Sequence, residues 1–141
     1  MEKNGVTFLE KLLALHRYYI GANRFREHFE STLSNFSSTI DSEELFISDY
    51  GLFFSHWYAA LYVVIEGWKK TKLSDPTIDS LLSSENVELL KRFRNGIYHY
   101  QQNYYDPRFL NLLEAKEIVP WVRQVNLEFG RYFLTNLKTT N

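Results

Sequence analysis

Cysteine is absent from the 141-residue chain, and glycine and proline are scarce, at six and three residues. Without cysteine the chain has neither a disulfide framework nor thiolate chemistry, which agrees with a reducing cytoplasm. An excess of charge of one sign is also missing. The formal net charge of −1 gives no overall basic field that would indicate nucleic-acid binding. Any such contact would therefore need a local basic patch or a dimer seam.

Long hydrophobic runs are missing as well. The best run, WYAALYVVI, covers residues 57–65 and stops at Glu66, at about half the ~18 residues that indicate a membrane-spanning helix. The first residues, MEKNGVTFLEKLL, contain no basic stretch followed by an apolar run, so they do not indicate a signal peptide. We therefore expect a soluble, cytoplasmic protein with no membrane partner.

Apolar residues make up 45% of the chain, enough for one buried core, and most of them recur with helical periodicity. A capping box at Thr7 and Glu10 predicts the start of a first helix, and the segment SNFSSTIDS predicts a loop. A second helix is expected from about Glu43 to Lys70. The predicted buried positions are Phe8, Leu12, Leu15, Tyr19, Ala22, Phe29 and Leu33 in the first helix, and Leu52, Phe53, Trp57, Ala60, Leu61, Val64 and Trp68 in the second.

The second half of the chain predicts two more long helices and two short ones. The short helices should begin at Asp75–Pro76 and Asp106–Pro107, with aspartate as the cap. Ser84 is the expected cap of the third long helix, and NYYDP should end it. The predicted core stripes are Leu90, Phe93, Ile97 and Tyr100 in the third helix, and Ile118, Val122, Val125, Phe129 and Tyr132 in the last, which has Pro120 in its first turn. We predict an all-α protein in which residues 1–141 form one antiparallel bundle of four main helices.

Polar side chains occupy the other face of the third helix, in the segment KRFRNGIYHYQQ of residues 91–102. At about one hundred degrees per residue, Asn95 and His99 lie opposite Phe93 and one turn apart. Arg94 lies at the border between the two faces, and Gly96 suggests that another backbone or a ligand comes close. The side chains expected near them, as candidates for substrate binding, are Arg92, Lys91, Tyr98 and Gln102.

These residues suit phosphate binding and proton transfer. The guanidinium of Arg94 offers a planar fork of donors to a phosphate, and a histidine side chain such as that of His99 can take or give a proton. Together they would cleave RNA without a metal, with the ribose 2′-hydroxyl as internal nucleophile. Neither a glycine-rich phosphate loop nor a serine nucleophile elbow occurs, and His16, His28 and His56 lack zinc-binding spacing, so we expect no metal or cofactor. A solvated surface role for His99 stays open.

The segment RNGIYH, with Arg94, Asn95 and His99, resembles the Arg-(four to six residues)-His motif of HEPN domains. The resemblance implies a bundle of four or five helices that dimerises with its two motifs facing each other. It also implies a metal-independent endoribonuclease of a toxin–antitoxin, phage-defence or RNA-processing system, with RNA as substrate, an antitoxin protein as a possible partner and a 2′,3′-cyclic phosphate as product. By this resemblance His99 would act as general base or acid, Arg94 would stabilise the scissile phosphate, and Asn95 would position the phosphate or His99.

The chain departs from the family in one respect. Some HEPN toxins carry a tyrosine two residues after the histidine, which a partner enzyme modifies, whereas this chain has Gln101 there. That difference argues against control by this route. The family also includes members that do not cleave RNA, so a second hypothesis is a non-catalytic dimer that binds a protein partner, for which Tyr104 and Tyr105 offer aromatic contact surface. A third hypothesis is a small-molecule pocket among the aromatic residues.

Overall fold

The structure is a computed structural model that describes residues 5–33 and 47–138, so the predicted loop SNFSSTIDS lies outside the described residues. The helices are α1 (Phe8–Leu33), α2 (Asp49–Thr71), α3 (Pro76–Leu81), α4 (Asn86–Tyr98), α5 (Pro107–Glu114) and α6 (Ile118–Lys138). No strand occurs in these two ranges, which confirms the all-α prediction. Within the same ranges, no helix combines the length and the apolar character needed to cross a membrane.

The first two helices begin at side-chain caps. The Thr7 hydroxyl accepts a hydrogen bond from the backbone N–H of Glu10 at 3.1 Å, as the capping box predicts. The Ser48 hydroxyl accepts one from the N–H of Gly51 at 3.1 Å. This cap starts α2 at Asp49. The predicted helix began near residue 43, so the prediction is wrong at residues 47 and 48, which the structure describes and which are not helical.

The short helices and α4 also begin at polar side chains. Asp75 and Asp106 accept hydrogen bonds from backbone N–H groups in the first turns of α3 and α5, which confirms both predicted helix starts. The Ser84 hydroxyl accepts a hydrogen bond from the N–H of Asn86 at 3.0 Å. Glu85, the residue directly before α4, makes no side-chain capping bond, so Ser84 provides the polar contact at this helix start.

Aromatic rings join the helices into one core. Phe29 of α1 packs on Phe54 of α2 with ring centroids 6.0 Å apart, and Phe54 meets Phe93 of α4 at 5.8 Å. At the other end of the same pair of helices, Leu15 of α1 packs at Gly67 of α2. These contacts show that α1 and α2 run antiparallel. The six largest fully buried side chains are Trp57, Trp68, Tyr58, Phe93, Phe129 and Phe133.

A chain of buried hydrogen bonds links three helices. The Trp57 indole N–H of α2 donates to the Asn126 side-chain oxygen of α6 at 3.1 Å, and the Asn126 amide nitrogen donates to the Asn23 side-chain oxygen of α1 at 3.1 Å. Because buried polar groups are costly unless they are paired, these bonds favour one register of the three helices.

Most of the predicted core positions are buried, including all five of the stripe on α6. Phe53, Ala60, Leu33 and Ile97 are partly buried against the core. Three predictions are wrong, because Phe8, Leu52 and Tyr100 are 52%, 47% and 92% exposed. Phe8 and Leu52 lie in the first turns of their helices, and Tyr100 lies beyond the end of α4, so none of them continues a buried stripe.

Candidate functional site

Arg94 and Asn95 lie side by side near the end of α4, and both are half-buried. The Arg94 Nε donates a hydrogen bond to the Asn95 side-chain oxygen at 3.0 Å, and the Arg94 guanidinium lies 5.0 Å from the centre of the Tyr62 ring of α2. These contacts hold the guanidinium over an aromatic face. Its two terminal nitrogens make no hydrogen bond within the described part of the chain, so they are available to a phosphate.

His99 does not lie on α4, which corrects the prediction that it neighbours Asn95 on one helix face. The helix ends at Tyr98, and His99 has extended backbone angles while its N–H still donates to the Asn95 carbonyl at 3.1 Å. The carbonyl of His99 accepts a hydrogen bond from the Gln101 amide at 2.9 Å, and Gln101 accepts one from Arg108 of α5 at 3.0 Å. These bonds direct the chain away from the helix axis at His99.

The turn away from α4 places His99 at the wall of a cleft of about 400 Å³ between the start of α2 and the segment that follows α4. His99 itself is exposed. The cleft is also lined by Ser55 and His56 of α2, and by Tyr100 and Tyr104 of the following segment. Two histidines separated by 43 positions in the chain therefore share one opening, which gives it two imidazole groups.

His56 is the functional candidate that the sequence did not reveal. Its Nδ1 shares a hydrogen bond with the Tyr98 hydroxyl at 3.1 Å, and its ring stacks on Phe25 of α1 at 5.4 Å. Burial raises the pKa of the Tyr98 hydroxyl, and the nearby charge of Arg94 offsets part of that increase. Tyr98 is therefore protonated at neutral pH and orients the imidazole of His56. No motif in the sequence pairs His56 with His99, because only the packing of α2 on α4 brings them together.

The other predicted site residues divide between two sides of α4. Tyr98, which is 50% exposed, faces α2 through its bond to His56. Arg92 lies toward α5, near Asp106. A hydrogen bond from the Arg108 backbone N–H is the main cause of a lowered pKa of the Asp106 carboxyl, and the positive charge of Arg92 lowers that pKa further. Lys91 and Gln102 are exposed. The structure thus places Tyr98 next to Arg94 and separates Arg92 from them.

Gly96 permits a close approach of two helices. A Cβ on Gly96 would lie 2.7 Å from Cε1 of Phe109 and 3.2 Å from Cβ of Arg108, both on α5. The glycine therefore allows α5 to pack directly on α4. This packing positions the segment from His99 to Asp106, which forms one wall of the cleft.

The described residues contain no group of three or more His, Asp or Glu side chains arranged to hold a metal ion. Tyr104 and Tyr105 are each 51% exposed and contact each other edge to face, with ring centroids 5.1 Å apart. Neither a protein-family model, nor a curated protein, nor a solved structure matches this chain.

Proposed function

We propose that the protein is a cytoplasmic, metal-independent endoribonuclease with a HEPN-like bundle of four main helices, acting in a toxin–antitoxin or phage-defence system. The observation that carries the proposal is the pair formed by Arg94 and His99. Arg94 has unpaired terminal nitrogens and His99 is exposed in a cleft, five residues further along the chain. A guanidinium and an imidazole supply the phosphate contact and the proton transfer that RNA cleavage requires.

The proposed reaction forms a bond between the ribose 2′-oxygen and the phosphorus and breaks the bond from phosphorus to the 5′-oxygen. His99 takes the proton of the 2′-hydroxyl, and Arg94 stabilises the charge on the phosphate. Asn95 is a positioning residue, because it accepts the hydrogen bond from the Arg94 Nε. His56 lies in the same cleft and is the candidate to give the leaving 5′-oxygen its proton. The products are a 2′,3′-cyclic phosphate and a 5′-hydroxyl.

A homodimer is part of this proposal. The net charge of the chain is −1, so one copy has little general attraction for a polyanion. Two copies that meet on the exposed side of α4 would combine two Arg94 side chains and two exposed Lys91 side chains in one seam. That combination would create the local positive charge that a single chain lacks.

Cleavage of mixed structured and unstructured RNA in EDTA tests the proposal. We expect wild type to yield ends with 2′,3′-cyclic phosphate, His99→Ala to lose about 10²- to 10⁴-fold in rate, and Arg94→Ala about 10²- to 10³-fold. His28→Ala is the matched control, because His28 is exposed and stacks on Phe53 outside the cleft. Equal cleavage by wild type and by a folded His99→Ala protein would refute the assignment.

A second candidate function is a non-catalytic helical dimer that binds a protein partner. It is favoured by four exposed rings at the end of α4 and in the segment before α5, namely Tyr98, Tyr100, Tyr104 and Tyr105. Exposed aromatic residues often dominate the energy of protein interfaces. Absence of RNA cleavage by every variant, together with a partner whose binding is lost in Tyr100→Ala, would favour this function over the nuclease.

A further inference from the structure

The hydroxyl of Ser55 is buried without a partner. Ser55 is 5% exposed, and its Oγ makes no hydrogen bond within the described ranges. Serine and threonine inside helices commonly bond to a carbonyl one turn back, as Thr71 does here with the Gly67 carbonyl at 2.8 Å. Because an unpaired buried hydroxyl destabilises the fold, its presence calls for a specific explanation.

The surroundings of Ser55 offer such an explanation, since Ser55 lines the same cleft as His99. The volume of about 400 Å³ falls in the range of small-molecule sites, roughly 300–1,000 Å³. Its apolar wall is formed by Leu52, Ile97 and Phe109. Tyr100, whose ring is 92% exposed, also lines it. A ligand that fits would be flat and largely apolar, with a polar edge that pairs with one hydroxyl.

We propose that this cleft binds an unstacked nucleobase of single-stranded RNA, with the Ser55 hydroxyl turned from its buried position toward the cleft to hydrogen-bond the edge of the base, and with Tyr100 stacked on its face. This inference rests on the proposed ribonuclease function and names its substrate class. Proteins that recognise single-stranded RNA commonly splay out bases, stack them on aromatic side chains and hydrogen-bond their edges. A base seated here would have its ribose beside His99, which lines the same opening.

The charge of the chain supports base binding over backbone binding. With a net charge of −1, one copy of the chain has little general attraction for a phosphate backbone. A larger share of its affinity must therefore come from base contacts. Stacking and one hydrogen bond at the cleft supply such contacts at the wall that carries His99.

The test measures binding of the four ribonucleoside 3′-monophosphates, with ribose 5-phosphate as the probe that lacks a base. Titrations followed by NMR use the full chain as wild type, Ser55→Ala, Tyr100→Ala and Tyr18→Ala. Tyr18 is the matched control, because it is an exposed tyrosine on α1 that does not line the cleft. These nucleotides carry no scissile bond, so binding is measured independently of catalysis.

We expect at least one nucleotide to bind more tightly than ribose 5-phosphate. Ser55→Ala should weaken that binding about two- to tenfold while its urea unfolding midpoint stays equal or rises, because the unpaired hydroxyl is removed. Tyr100→Ala should weaken it about five- to 100-fold, and Tyr18→Ala should not change it. A purely structural role for Ser55 would leave nucleotide affinity unchanged.

Three results would overturn the inference: no nucleotide binding at the highest soluble concentration, ribose 5-phosphate binding as tightly as the nucleotides, or unchanged affinity in both cleft variants. The two proposals fail in different ways. Nucleotide binding that depends on Ser55, without RNA cleavage by wild type, would keep the pocket and reject the nuclease. Cleavage that depends on His99 but not on Ser55 or Tyr100 would keep the nuclease and reject the pocket.

Discussion

At Gly96, α4 lies in close contact with α5. Alanine usually stabilises a helix interior relative to glycine by about 0.5–1 kcal/mol. Here its methyl group would meet Phe109 Cε1 at 2.7 Å and Arg108 Cβ at 3.2 Å. The Phe109 ring packs edge to face on Phe93, with ring centroids 6.1 Å apart, so a shift of Phe109 would disturb that contact. Overpacking should therefore outweigh the gain in helix propensity.

We expect Gly96→Ala to lower the free energy of unfolding by about 1–3 kcal/mol, measured by urea denaturation. Gly21→Ala is the control, because Gly21 lies exposed in α1 with no atom within 4 Å of an added Cβ. It should raise the free energy of unfolding by about 0.5–1 kcal/mol. If both variants were stabilised alike, the close contact of α5 with α4 would be wrong.

Also at the residue scale, the sequence indicated residues of the candidate site but not how the fold arranges them. The pattern in RNGIYH indicated Arg94, Asn95 and His99, and the structure places the first two in direct contact. It gave no indication of Ser55 or His56, because a residue 43 positions from His99 enters the cleft only through packing of α2 on α4. Local patterns report spacing along one helix, whereas this cleft is formed by tertiary contacts.

Among the elements, α4 shows where periodicity succeeds and where it fails. The spacing of Leu90 and Phe93 identified its buried face, because both side chains are fully buried. The same spacing extended the stripe to Tyr100, although α4 ends at Tyr98. No glycine or proline marks that end. Arg108 of α5 donates a hydrogen bond to Gln101, and Gln101 donates one to the His99 carbonyl. Because Arg108 lies outside the helix, the pattern of residues within α4 does not show these contacts.

The α3 helix tests the role of a charged cap that also joins two elements. Burial by itself would raise the pKa of the Asp75 carboxyl, but hydrogen bonds from the Ile78 and Thr77 N–H groups and from Arg131 of α6 bring it below its ordinary value. A carboxyl with a lowered pKa in the folded state stabilises the protein at pH values above its ordinary pKa of about 4. That contribution is lost as the pH falls through the lowered pKa.

We therefore expect wild type to exceed Asp75→Asn in free energy of unfolding at pH 6, and the difference to shrink as the pH falls below about 4. Asparagine still caps the helix, so the variant should fold and differ mainly in its loss of the charged contact with Arg131. Urea denaturation between pH 6 and pH 2.5 measures the difference. A difference that stays constant over that range would show that the Asp75 charge does not contribute.

At the scale of the whole molecule, hydrogen bonds from Trp57 through Asn126 to Asn23 join α1, α2 and α6. The contact at Gly96 joins α5 to α4, so the helices around the cleft belong to one packed unit. The arrangement of two such bodies decides whether two Arg94 side chains share one site. A symmetric dimer brings residues near its twofold axis next to their own copies. Because the chain has no cysteine, one introduced cysteine reports the position of that axis without background.

We expect wild type to sediment at about twice its 16.8 kDa mass. Lys91 and Gln102 are exposed residues that we place at the predicted dimer seam. A short bis-maleimide should therefore cross-link Lys91→Cys or Gln102→Cys into dimers. It should not cross-link Lys69→Cys, at the end of α2. Cross-linking that occurs only through Lys69→Cys would place the dimer seam elsewhere. In that case the proposed reaction would have to proceed with one Arg94 for each RNA, and the charge of the seam would no longer explain how a chain of net charge −1 holds a polyanion.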